Sequence, residues 1–298
     1  MGNITKSAVI SIVGRPNVGK STLTNRLVGR KVAIVSNKPQ TTRTRITGIL
    51  NREDCQFVFL DTPGLHKPRS RLGDFMVKVV NETVADVDAA ALLVEPVANI
   101  GPAEESLIQK IKEGGIPSVL VINKIDTVHK DELLAVIAAY SQAHAFDAII
   151  PVSARKGDGL DELLDEFEKF ALEGPQLFPD DMVSDQPERQ MVAETIREKL
   201  LYLLQREVPH GVAVGIEQMK TREDGLVSIH ATIYCEKNSH KGIIIGKNGA
   251  MLKKTGELAR QDIERQLGAK VFLDLWVKVK EDWRNNEYQM RNFGYEDE

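Results

Sequence analysis

The segment Gly14-Arg15-Pro16-Asn17-Val18-Gly19-Lys20-Ser21-Thr22 closes the apolar run Ala8–Gly14 and opens a helix-favouring stretch. The spacing G-x-x-x-x-G-K-[ST] between a buried strand and a helix confines the chain to α/β folds. Only there can successive backbone N–H groups wrap an anion at a helix N-terminus. The further apolar runs Gln56–Gly64, Ala89–Pro96, Ser118–Asp126 and Ala148–Ala154 alternate with helical segments. Runs that are apolar throughout, rather than at every second residue, predict a mostly parallel sheet with helices on both faces. An amphipathic helix closed by Gly174 is expected after the last of them.

In such sheets ligands sit at the C-terminal strand ends, and the polar residues cluster there. Lys20 is placed to reach the β- and γ-phosphates of a nucleotide and Ser21 to ligate Mg2+. Asp61-Thr62-Pro63-Gly64 ends another strand. Asp61 is placed to hold the metal through water, and the Gly64 N–H to face the γ-phosphate. In Asn123-Lys124-Ile125-Asp126, the Asp126 carboxylate can accept from both the ring N1–H and the 2-amino group of guanine. Adenine would leave that acceptor unpaired, which discriminates by orders of magnitude. Asn123 would tie loops together and the Lys124 stem cover the base. Backbone N–H groups of Ser153-Ala154-Arg155 can meet guanine O6. Four motifs in this order, each at a strand end, predict a GTP- and GDP-binding domain that uses Mg2+.

Gly174–Pro187 carries three prolines and three aspartates and reads as a linker. A helix follows, with Ser184 or Asp185 as its expected N-cap and Glu188 close enough to complete a capping box. Strands at 212–219 and 226–235, a helix over 252–268 and a last strand at 271–279 complete this half. Between them, Gly246-Lys247-Asn248-Gly249 forms a G-x-x-G turn of the kind that lets a sugar–phosphate backbone approach a helix N-terminus. Lys241, Lys253, Lys254 and Arg260 surround it. The 298 residues carry a net charge of −4, so no global field draws the chain onto nucleic acid. Residues 196–284, however, hold 16 basic and 12 acidic side chains, a net +4. Trp276 and Trp283 are expected to pack in the core. Two cysteines make no disulfide framework, which fits a reducing compartment. The first ten residues show no secretory leader, and Lys6 spoils the myristoylation pattern that Gly2 would begin.

The motifs GRPNVGKST, KPQTTRTR, DTPGLHKP, NKID and SARKGDGLDEL resemble the translation-factor-class GTPases related to Era. The stretches ERQMVAETIREKLLYLLQREVPH, KGIIIGKNGAMLKKTGELAR and FLDLWVKVKEDWRNN resemble that family's KH domain. The resemblance covers essentially the whole chain. It implies a GTPase domain over 1–173, a linker over 174–187 and a smaller α+β type II KH domain with a C-terminal extension over 188–298. Gln40-Thr41-Thr42-Arg43-Thr44 corresponds to switch I, with Thr42 before Thr41 as the Mg2+ ligand of the GTP state. Asn17 stands where related enzymes bind K+, so Lys20, Asn17 and Thr42 are the expected catalytic groups. Leu65 stands where Ras-like enzymes orient water with glutamine, which predicts slow hydrolysis.

The resemblance further implies single-stranded RNA as ligand, in the 3′ region of 16S rRNA, and a role in small-subunit assembly. A cytoplasmic monomer that does not bind DNA is expected, with a peripheral seat on the inner face of the cell membrane left open. The competing readings are a related ribosome or tRNA GTPase with another client, and a constitutive RNA-binding protein whose G domain only binds nucleotide.

Overall fold

A computed structural model describes residues 4–295 of the chain, so Gly2 and the terminal acids at 296–298 lie outside the described residues. The chain forms two compact units. The first comprises residues through Val35, Thr42–Lys67 and Met76–Asp185, and the second comprises Ser36–Thr41, Pro68–Phe75 and the chain from Gln186 onward.

The first unit follows the order β1 (Lys6–Gly14), α1 (Lys20–Val28), β2 (Ile46–Arg52), β3 (Cys55–Asp61), α2 (Arg71–Ala85), β4 (Ala89–Val94), α3 (Pro102–Gly114), β5 (Ser118–Ile122), α4 (Lys130–Ala143), β6 (Ala148–Pro151), α5 (Leu160–Glu168) and β7 (Leu172–Glu173). The sheet runs β2-β3-β1-β4-β5-β6. Its pairs are parallel except β2 on β3 and the short β7 on β1. Every residue of β4 is buried, as expected of a strand covered on both faces. The register sets Ile12 beside Asp61 and Gly14 beside Leu93, so the loops that carry the motifs leave from one edge. Phe59 packs its ring against Phe57 at 5.9 Å and against Phe167 of α5 at 6.1 Å, joining the sheet to its covering helix.

Two local expectations are corrected. The helix α5 ends at Glu168 rather than at Gly174, and β7 follows it. Gly174–Asp185 is also no free tether. The Gln56 amide accepts from the N–H groups of Leu177 and Phe178 at 2.9 and 2.8 Å, and Ile49 N–H donates to the Val183 carbonyl at 2.9 Å. Thr47 donates to Asp185 at 2.9 Å. Asp185 is therefore engaged elsewhere and cannot cap the next helix.

That helix, α6 (Glu188–Leu203), begins after Pro187 without a side-chain cap. The second unit continues with β8 (Ala213–Thr221), β9 (Val227–Cys235), α7 (Asn238–Ile245), α8 (Ala250–Leu267), β10 (Val271–Val279) and α9 (Glu287–Asn292). Its three-stranded sheet runs β10-β9-β8, parallel then antiparallel. The core comes from Ile196 and Leu200 of α6, Ile229 and Ile233 of β9, and Ala259 and Ile263 of α8. Trp283 is fully buried and donates to the Gly211 carbonyl at 2.9 Å. Trp276 departs from expectation: it is 63% exposed. Side chains alternate along a strand, so with Val271 and Val277 turned inward Trp276 falls on the outer face.

Phe167→Ala should cost about 3–5 kcal/mol of stability, because an aromatic ring is lost from a fully buried site. Urea unfolding of the full chain would measure it. A loss below about 1 kcal/mol would mean that the ring does not hold α5 to the sheet.

Candidate nucleotide site and nucleic-acid interface

The loop after β1 owes its shape to residues in left-handed conformations. Gly19 has φ 104°, and a Cβ there would come within 2.3 Å of the Asn123 amide nitrogen. Only glycine allows Asn123 so close to the loop. The Asn123 Nδ2 donates to the Val18 carbonyl at 2.8 Å, and its Oδ1 accepts from Ala154 N–H at 3.0 Å. One buried carboxamide thus joins the loops after β1, β5 and β6. Leu65 N–H donates to the Gly14 carbonyl at 3.2 Å, and a Cβ on Gly64 would meet Pro16 N at 2.5 Å. The loop after β3 therefore lies directly on the first loop.

Inside this frame lie Lys20, Ser21, Thr42 and Asp61. Ser21 Oγ donates to Asp61 Oδ2 at 2.6 Å and lies 2.9 Å from Thr42 Oγ1. Thr41 is turned away from this cluster, its hydroxyl donating to the Lys38 carbonyl at 2.7 Å. Burial pushes the Asp61 carboxyl up to about 6 and the Lys20 ammonium down to about 8. Asp61 Oδ1 is buried without a hydrogen-bond partner. A buried oxygen with no donor, beside two hydroxyls, is a hard-oxygen set that suits Mg2+. Lys20 Nζ folds onto the carbonyls of Gly14 and Arg15 at 3.1 and 2.9 Å. Thr62 donates to the Ile12 carbonyl at 2.9 Å, which anchors the start of the Pro63–Gly64 turn. Arg43 is buried and Thr44 partly so.

At the ends of β5 and β6, Ser153 Oγ donates to Asp126 Oδ1 at 2.8 Å. That hydrogen bond above all holds the carboxyl below its usual range. Lys124 Nζ donates to the Asn17 carbonyl at 2.8 Å and to Glu95 Oε1 at 2.5 Å. Arg15 pairs with Glu95 Oε2 at 3.2 Å and with Glu104 Oε1 at 2.5 Å. Glu95 thereby bridges two motif cations, and Glu104 pins one. No local pattern marks either carboxylate, because its partners lie far away in the chain. Asn17 is exposed and left-handed at φ 66°. Leu65 is buried in the sheet's second core, where its methyls pack and orient no water.

In the second unit, Gly246-Lys247-Asn248-Gly249 separates α7 from α8. Gly246 has φ 74°, and a Cβ there would meet Met251 N at 2.9 Å, so the turn requires glycine. Lys247 and Asn248 are exposed at its tip, and Lys241 is partly buried. A groove of about 730 Å3 opens beside the turn, lined by Gly249 of the turn, by Leu252, Lys253 and Arg260 from α8 and by Phe272 and Leu275 among others from β10. Lys254 is exposed and does not line it. Among the described residues β10 pairs only with β9, so its other edge lies open. The contribution of β10 was not legible from the glycine motif, since it is made by the sheet.

Residues 9–124 match the family described as 50S ribosome-binding GTPase, and residues 207–284 match the KH domain family. The chain is 53% identical over 290 residues to GTPase Era of Ruminiclostridium cellulolyticum, covering 97% of each chain. It is 52% identical over 294 residues to GTPase Era of Clostridioides difficile, covering 98% of this chain and 99% of the relative. Among solved structures it is similar to an Aquifex aeolicus Era variant bound to GDP·AlF4−, at TM-score 0.94 and 40% identity, over 97% of this chain and 99% of the other. The structure of Era with MgGDPNP and nucleotides 1506–1542 of 16S ribosomal RNA gives the same score and identity over 98% and 99%. With a nucleotide loop, a glycine-turn groove and full-length relatives at this identity, the chain belongs to the Era family of GTPases.

Proposed function

We propose that this chain binds GTP and GDP with Mg2+, hydrolyses GTP slowly with stimulation by K+, and grips the 3′ region of 16S rRNA during small-subunit assembly. The observation that carries the reading is the convergence of Ser21, Thr42 and Asp61 on one buried oxygen cluster, within the frame built by Asn123. Ser21 and Thr42 would hold Mg2+ directly and Asp61 through water. The metal supplies charge neutralisation at the phosphates. Lys20 would leave the loop carbonyls for the β- and γ-phosphates, and the Gly64 N–H would face the γ-phosphate. Asp126 would select guanine, with the Ser153–Arg155 backbone near its O6. Phosphoryl transfer depends mainly on positioning and electrostatics, so turnover survives Leu65, but slowly. Asn17, exposed at the lip of the loop, is the candidate K+ ligand.

The RNA assignment rests on the turn at Gly246–Gly249, the groove beside it and the rRNA-bound relative. Lys241, Lys247, Asn248, Lys253, Lys254 and Arg260 would contact the phosphates. The same reading makes the protein a cytoplasmic monomer. No helix among the described residues is long and apolar enough to cross a membrane. Leu65 favours the second reading, in which the G domain binds nucleotide without turning it over. Multiple-turnover phosphate release separates the two, since a constitutive binder releases no more than one equivalent.

Asp126→Asn should weaken GTP and shift preference toward the xanthine nucleotide, because the amide offers a donor to a base carbonyl; competitive nucleotide binding measures it. Exchanging Na+ for K+ should speed hydrolysis by the wild type and leave Asn17→Ala unchanged. Equal wild-type rates in both salts would remove the K+ site. Changing both Lys247 and Asn248 to Asp should lower affinity for a single-stranded 16S rRNA 3′ oligonucleotide by about a hundredfold, with GTP binding retained, because phosphate contacts dominate such affinity. Full RNA affinity in that variant would place the RNA elsewhere.

A further inference from the structure

In the three-stranded sheet of the second unit, Ile229, Ile233, Val271 and Val277 turn inward against Ile196 of α6 and Ile263 of α8. Side chains alternate along a strand, so His230 of β9 and Phe272, Asp274 and Trp276 of β10 stand on the opposite, outer face. The register sets Asp274 beside His230 and Trp276 beside Thr232. Phe272 is 46% exposed and Trp276 63% exposed. They are four residues apart, about 13 Å along one strand. Solvated aromatic side chains gathered on one face mark an interaction surface.

Both rings are held in place. Trp276 Nε1 donates to Asp274 Oδ2 at 2.9 Å, and His230 Nδ1 lies 3.2 Å from the same oxygen. The Phe272 ring meets the His230 ring edge-on at 6.2 Å and has the Arg222 guanidinium 5.4 Å from its centroid. Rings already ordered lose little entropy when a flat partner lies on them. The charges indicate the sign of that partner. Lys220, Arg222 and Lys278 are exposed. Lys220 stands opposite Ser228 and Lys278 opposite Tyr234, on the same side as His230 and Trp276. Two acids there are already engaged: Asp274 accepts from Trp276, and Glu217 accepts from the Tyr234 hydroxyl at 2.9 Å. Flat rings among cations suit a polyanion that carries flat bases.

The surface is continuous with the groove beside the glycine turn, because Phe272 belongs to both and β10 is the edge strand between them. We propose that the outer face of β9 and β10 is a second RNA-binding surface: single-stranded RNA leaving the groove crosses the β10 edge and stacks bases on Phe272 and Trp276. This rests on the reading that the groove at the glycine turn holds RNA. Stacking reads no base edge, so the outer face adds affinity with little sequence preference. The groove and the turn keep the task of selecting the site.

The test measures binding of two single-stranded oligonucleotides from the 16S rRNA 3′ region to the full chain. One has about four nucleotides, the length a G-x-x-G turn clamps, and the other about twelve. Trp276→Ala should weaken the longer one about tenfold, the usual loss when one stacking ring is removed, and leave the shorter within about twofold. Trp276→Phe keeps a flat ring and should retain most of the affinity. Trp276 is exposed and Trp283 buried, so the longer RNA should quench the tryptophan emission of the wild type but not that of Trp276→Phe. Unchanged affinity for the longer RNA in Trp276→Ala, with wild-type emission unquenched, would overturn the surface and leave it to a protein partner. The variant with Asp at both 247 and 248 separates the two readings. If it loses the longer RNA while Trp276→Ala does not, the outer face alone is overturned. If it keeps full affinity, the groove reading on which the proposal rests fails.

Discussion

The carboxamide of Asn123 bonds the Val18 carbonyl on one side and the Ala154 amide on the other, and three strand-end loops depend on it. A buried amide left unpaired is costly, so both partners must stay within hydrogen-bond distance. Gly19 is part of the same constraint, since any side chain there would displace the carboxamide. With these loops locked together, the two ends of the candidate site hold a set spacing. Glu95 and Glu104 add to this by holding Arg15 and Lys124 at the rim.

Within that frame, two opposite charges are kept in short supply of solvent. Burial drives the Asp61 carboxyl and the Lys20 ammonium each toward neutrality. Such groups gain most from a multivalent ligand that brings a cation to one and anionic oxygens to the other. The cost of burying them is offset by the sheet that surrounds them, in which strands such as β4 are buried along their whole length. Leu65 belongs to that apolar frame rather than to the chemistry, consistent with catalysis by placement and electrostatics.

The second unit repeats the same physical device, a glycine-dependent turn at the start of a helix. A glycine turn that admits no side chain at Gly246 leads into a helix, and an open strand edge faces the groove beside it. On the proposed reading, backbone approach and local positive charge would do the binding, so a chain with net negative charge could still present a nucleic-acid surface.

The sequence by itself determined the α/β architecture, the strand-end positions of the loops at 14–22, 61–64 and 123–126, and the glycine turn. Each of these is short-range chemistry at a set spacing, and a backbone that must meet phosphate tolerates few residues at those positions. Tertiary structure alone decided which of Thr41 and Thr42 faces Ser21, since their neighbours in sequence are alike and only the path of the loop separates them. It also decided that Trp276 stands in solvent while Trp283 is core, because the parity of β10 depends on which face meets the helices. The helix cap expected at Ser184 or Asp185 failed for a related reason: Thr47, distant in sequence, takes the Asp185 carboxylate. Glu95 and Glu104 carry no local signature, as their partners Arg15 and Lys124 lie in other loops far along the chain. Sequence spacing encodes what a loop can bind; sheet order and packing determine which distant side chains hold that loop in place.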